Sequence, residues 1–368
     1  MKSRPRCRIH RLAGLIVAAI SLAAAAQAQQ QPVNQLPDSI VRSASIAGVE
    51  RSQIETYVTV QVGGLFSRDR AVLERARDRL IEPLGRDGVT VAFRLAYAAA
   101  LTPRLTELGS DGSFQSLDSL LLIAGELATS GMVDVIKPYL DNSSAPVRYR
   151  AAYSMGRLFE AVQSRSAAIR PDEINRAIAL LAERTRVEPD LHVMDRDLRS
   201  LLSATRIIRS DLGDVRSTAF VALCDSASAR IRGDPPEQQL DQFSLSALEV
   251  GLMIRDTLIA HHQNPVSRDA LVRAGGVGGD LVAFVHRHLA DQAASDEQPR
   301  AWRILRVADA IISLAASNLT GRDVPSPDSA LAFQNGAQAF DQTCEQIFGP
   351  AGLLTSDPFA FKPDRFHK

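Results

Sequence analysis

Apolar residues recur along most of this chain at intervals of three and four, the spacing that gathers them on one face of an α helix. In "SSAPVRYRAAYSMGRLFEA", residues 143–161, Val147, Ala151, Met155, Leu158 and Phe159 share such a face and arginines fill the rest. Pro146 falls in the first turn, where a missing N–H costs nothing, and Ser143 and Ser144 stand in capping positions. Just before it, "GMVDVIKPYLDNSS" places Met132, Val135, Ile136 and Leu140 on one face, with Pro138 expected to bend the helix. Asp141 to Ser144 turn the chain between the two.

The same period predicts helices over 68–84, 89–101, 116–131, 172–185 and 191–208, the third of them stopped by Gly131. "YVTVQV", 57–62, is β-branched enough for a strand, but no second strand accompanies it, so helix is expected. "RGDPPEQQ", 232–239, is the best internal break. Helical patterns resume over 243–262, 280–294 and 301–319. Residues 321–329 read as a loop, 330–348 as one last helix, and 29–50 and 356–368 as irregular.

The pair of helices around residue 141 resembles a HEAT repeat, the two-helix unit of armadillo-like α-solenoids. The resemblance lies in Leu140-Asp141, Val147-Arg148, Ala151-Ala152 and Met155-Gly156. "IRSDLGDVRSTAFVAL" repeats the offsets with Ile208, Val215, Arg216, Ala219 and Leu223. Arg209 stands where Asp141 does, which leaves Asp211 or Asp214 to substitute. Residues 131–225 carry the likeness. It implies an all-α fold, an α-solenoid of antiparallel helix pairs, in which each unit hides its apolar face by stacking on the next. The organisation expected is a helical-repeat region over 51–231, a C-terminal helical region over 237–349 on the same elongated array, and a tail over 350–368. Asp141 and Arg148 are then the ladder tying neighbouring units, and Arg150, Tyr153 and Arg157 line the concave face as the partner-binding residues. A solvated helix face is the plain alternative for these three.

Composition adds an address. Lys2, Arg4, Arg6, Arg8 and Arg11 precede the apolar run "LAGLIVAAISLAAAA", and Ala26-Gln27-Ala28 offers a small-x-small cleavage site. This reads as a signal peptide over 1–28, because the run falls short of the ~20 residues that span a bilayer. Export to the periplasm or beyond is expected. Loss of those five basic residues leaves 37 Lys and Arg of the original 42, against 42 Asp and Glu, a net of −5. A net-negative chain has no general footprint for nucleic acid. No later segment is apolar enough for stable membrane insertion. Cys7 leaves with the signal; Cys224 and Cys344 remain, too far apart along a stacked array to pair unless a tail folds back.

Candidate chemistry is sparse. His261-His262 and His286-Arg287-His288 diverge around a helix and cannot chelate alone, so a metal would need a carboxylate such as Asp256 or Asp280 from another element. "AGGVGGD", 274–280, lacks the Lys-Ser/Thr of a phosphate loop and is expected as a turn between two helices. No Gly-x-Ser-x-Gly elbow is present, and Cys224, beside Leu223 on an apolar helix, is expected buried. Phe359, Phe361 and Phe366 are expected to dock on the chain's own body. The expectation is a non-enzymatic scaffold for a protein or peptide, with no cofactor; the alternative is a metal-binding protein or enzyme of the envelope, using the histidines after residue 236.

Overall fold

The computed structural model describes residues 35–164, 168–233, 235–290 and 298–366, so the predicted signal segment lies outside the described residues. These contain fifteen α helices, a few 3-10 turns and no strand; Thr129 and Ala168 form one isolated bridge. None of the described helices is long and apolar enough to cross a membrane. The helices fall into two units, divided after Leu101.

The first unit holds α1 (Asp38–Val41), α2 (Gly48–Leu65), α3 (Arg70–Ile81) and the start of α4 (Val91–Asp111). "YVTVQV" lies inside α2, as expected. Segment 29–50, expected irregular, is described from residue 35 on, and there α1 forms and Leu36, Ile40 and Val41 are buried. The core gathers Ile54, Leu65, Leu73, Leu80, Phe93 and Tyr97. Tyr97 donates to the Leu80 carbonyl (2.9 Å) and buried Arg94 to that of Leu84 (2.8 Å), satisfying polar groups that would otherwise be costly inside.

The second unit continues with α5 (Phe114–Leu127), α6 (Met132–Leu140), α7 (Ala145–Ser164), α8 (Pro171–Val187) and α9 (Leu191–Thr205). It goes on through α10 (Val215–Ile231), α11 (Leu240–Ile259), α12 (Arg268–His288), α13 (Gln298–Thr320), α14 (Ser329–Gln334) and α15 (Ala337–Phe348). Caps explain many starts: the side chains of Ser113, Asp190, Asp214 and Ser267 each accept from a backbone N–H of the following turn. From α5 to α13 each helix packs on the next and on the next but one. Two rows result, α5–α7–α9–α11–α13 and α6–α8–α10–α12, with the apolar residues between them. The pattern is that of a helical repeat.

Several expectations are corrected. The stretches sharing the Val-Arg spacing occupy different rows, α7 in the first and α10 in the second, because α10 is the third helix after α7 and a repeat of helix pairs needs an even step. Ile208 is 54% exposed in the connection after α9, and Ile207 is buried instead. Gly131 does not stop the third predicted helix: α5 ends at Ala128 in the left-handed region (φ 45°), and Gly131 opens α6. The single helix over 330–348 is two, broken at Asn335-Gly336.

The largest departure is "AGGVGGD", which is buried helix within α12 and not a turn. Four glycines in a helix cost about 1 kcal/mol each relative to alanine, and close packing on two sides offsets this. On one side a Cβ at Gly278 would stand 2.7 Å from Ile312 of α13. On the other the tail lies against the glycines: a Cβ at Gly276 would meet Arg365 at 2.7 Å, and one at Gly279 would meet Phe366 at 2.6 Å. Leu354, Phe359 and Phe366 are buried there, so the tail docks on its own body as expected. Arg365 completes the join with two hydrogen bonds to the buried carboxylate of Asp280 (2.7 and 3.2 Å) and one to Ser228 Oγ (2.7 Å). Gly279→Val forces the tail off this surface. It is expected to cost about 2 kcal/mol and to open the bond after Phe361 to chymotrypsin, read by thermal unfolding and fragment masses. Unchanged melting and unchanged cleavage would refute the docking.

Candidate functional site

The three candidate partner-binding residues lie together on α7, facing its neighbours in the first row. Arg150 forms an ion pair with Asp118 of α5. Arg157 binds Glu126 of α5 (2.8 Å from Nε) and Glu160 of its own helix (2.7 Å). The Tyr153 ring is flanked by the guanidinium groups of Arg150 (5.4 Å) and of Arg196 from α9 (5.2 Å), and Arg196 also donates to the Tyr149 hydroxyl (2.8 Å). Arg199 of α9 with Glu249 of α11, and Arg300 of α13 with Asp241 of α11, continue the chain of pairs. The pairs of Arg199 and Arg300 are open to water and worth ~1 kcal/mol or less, whereas Asp118 and Glu126 are largely buried against α7. Their charges are already engaged within the molecule.

The expected ladder residues have another chemistry. Val147 is buried, and Arg148 donates to the carbonyls of Asn142 (2.9 Å) and Ser143 (3.1 Å), tying down the turn before its helix. Its carboxylate partner is Glu188, just after α8, held by two hydrogen bonds of 2.9 and 2.7 Å; Arg184 adds a third at 2.7 Å. Asp141 is largely exposed and reaches Arg184 only at 3.8 Å. Burial pushes the Glu188 carboxyl upward, but the Arg148 hydrogen bonds, the Asp190 N–H and both arginine charges outweigh it and hold the group below the usual range. Asp197 nearby is the opposite case. Burial and the Glu188 charge raise it well above its ordinary value against the pull of Arg184 and Arg148, and neither oxygen has a hydrogen-bond partner. Val215 is also buried, and Arg216 donates to the Thr205 carbonyl (2.8 Å), but no carboxylate pairs with it.

Two cavities flank α11. The first, of about 460 Å³, is lined by Arg199, Arg206, Arg216, Glu249 and Asp256 and by Leu202, Leu252 and Met253, among others. The second, of about 590 Å³, is lined by Arg255, Ile259, Trp302, Arg306 and Leu331 among others. Ile259 and Leu331 are 58% and 55% exposed, and the Arg306 guanidinium lies 5.4 Å from the centre of the Trp302 ring. Asp309, also at this cavity, is consumed in capping α14 through Ser329 and Ala330. None of these cavity residues was singled out by motif reasoning except Arg216 and Asp256. One signal was there to find: the only tryptophan of the chain, with an arginine four residues on, one helical turn away.

The histidines do not converge. His286 pairs with Asp341 (2.8 Å), His288 packs on Phe284, and His261 Nδ1 accepts from the Val266 N–H (3.3 Å). Burial, His262 and Arg216 lower the His261 pKa. Asp280, expected as a possible ligand, is taken by Arg365, and Asp256 pairs with Arg255 (2.7 Å). Among the described residues no three His, Cys, Asp or Glu are grouped to hold a metal ion. Cys224 and Cys344 are free, buried thiols, and burial pushes Cys344 up to about 12. No protein-family model and no curated protein matches the chain.

Glu188 and Asp197 predict opposite pH dependences. The Glu188 contribution is present above its unfolded pKa of about 4.3 and is lost as pH falls through the lower folded value. Asp197, raised on folding, removes stability as pH climbs past about 3.9. Glu188→Gln is therefore expected to cost about 3 kcal/mol at neutral pH, leaving Arg148 without its charge partner, and to flatten the acid limb. Asp197→Asn is expected to stabilise at neutral pH and flatten the decline above pH 4. Urea unfolding from pH 3 to 8 reads both.

Proposed function

We propose that this chain is an exported helical-repeat protein of HEAT-like build that holds a protein or peptide segment, without catalysing a reaction on it. The observation that carries the reading is the second cavity beside α11. It joins an indole, two exposed aliphatic side chains and two arginines, Arg255 and Arg306, in one concave place. Such a composition suits the buried anchors of protein interfaces, where Trp and Arg dominate the energy. The two-row packing supports the repeat architecture, and the leader over 1–28 supports export to the periplasm. The arginine and tyrosine face of α7 is a weaker choice of binding surface, since desolvating it for a partner would first break the pairs to Asp118 and Glu126.

Peptide display against the folded protein tests the reading. Selection is expected to enrich a shared sequence pattern whose binding falls about tenfold or more with Trp302→Ala and with Leu331→Asp, and is unmoved by Val187→Asp at an exposed site elsewhere. No enrichment, or enrichment indifferent to Trp302 and Leu331, would remove it. Export is tested separately by fusing residues 1–28 to a phosphatase active only outside the cytoplasm. Activity with cleavage after Ala28 is expected, and an inactive, uncut fusion would overturn the assignment.

A further inference from the structure

Arg148 and Arg216 each stand second in a Val-Arg pair in the first turn of a helix and reach back to a preceding carbonyl, Arg148 to the turn before its helix and Arg216 to the last residue of α9. Beyond that they differ. Arg148 closes on Glu188 with two hydrogen bonds, whereas Arg216 has no carboxylate, and its Nε is buried without an acceptor. The neighbouring Asp214 is committed to capping its own helix at Ser217. The Arg216 side chain lines the first cavity together with Arg206, which is exposed and unpaired. Both acids at the cavity are already engaged, Glu249 by Arg199 and Asp256 by Arg255. Two arginines without an ion-pair partner of their own thus line one concave space, whose two acids are each held by another arginine, and Leu202, Leu252 and Met253 give it an apolar wall.

We propose that this cavity binds the free C-terminal carboxylate of a peptide ending in an aliphatic residue. Arg206 and Arg216 hold the carboxylate, and the terminal side chain rests on Leu202, Leu252 and Met253. Guanidinium forks match a carboxylate in two parallel hydrogen bonds, the arrangement Arg148 already makes with Glu188. The apolar wall selects an anion carried on an aliphatic stem, because a small inorganic ion would leave that wall wet. Met253 adapts to side chains of different shape. The assignment rests on the peptide-binding reading above and adds to it a polarity: the bound segment enters by its end.

Met253 also supplies the reporter. The protein is labelled with [13C-methyl]methionine and titrated with N-acetyl-Leu-Leu, with its C-terminal amide and with inorganic phosphate. The free acid is expected to move the Met253 signal saturably and to leave the buried Met132, Met155 and Met194 still. The amide should bind about tenfold more weakly or worse. Arg216→Gln should weaken the acid to a similar degree, and so should Arg206→Gln, an exposed change that keeps the test valid if the first variant fails to fold. A Met253 signal that does not move with the acid, moves equally with the amide, or moves as far with phosphate would overturn the site. Peptides selected through Trp302 would survive that result, so the carboxylate site can fall without the peptide-binding reading.

Discussion

No helix of the second unit can hide its apolar side alone, and this constraint organises everything else there. Each helix from α5 to α13 meets its successor across the rows and its next-but-one neighbour along a row. Burial at ~25 cal/mol per Å² of apolar surface is then shared between neighbours instead of concentrated in one centre. Polar groups trapped where helices meet must be neutralised from the adjoining element. Glu188 serves Arg148 in this way, and Arg365 serves Asp280. Arg216 is given no carboxylate of its own, and it lines a cavity beside α11.

The periodic part of the fold was legible because helix faces are written locally. The stripe through Val147, Ala151, Met155 and Leu158 is interior. Row assignment was not legible, since it depends on counting helices between two similar stretches, and Val147-Arg148 and Val215-Arg216 look alike in one dimension. Glu188 was equally hidden: its role follows from lying opposite Arg148, 40 positions earlier, and nothing in its own surroundings announces it.

Glycine was misread for a physical reason. Two Gly-Gly pairs around one valine have a strong local preference for irregular backbone, and only tertiary packing reverses it. Within α12 the missing side chains are the space in which Phe359, Phe361 and Phe366 sit. Little of the candidate site was legible: Arg216 and Asp256 stood out, but Arg150, Tyr153 and Arg157 line neither cavity beside α11. The arginines with no carboxylate partner are others, because ion pairing is decided by what the neighbouring helix brings.

The contact between α12 and the tail has a consequence for descent. Gly276 tolerates no side chain while Arg365 lies across it, Gly279 none while Phe366 does, and Asp280 is bearable inside only with a cation at 365. A change at any one of these positions is harmful until another answers it. In related chains, columns 276, 279 and 280 should therefore drift in step with 365 and 366, and lineages that lose the arginine should be those in which the aspartate has become neutral.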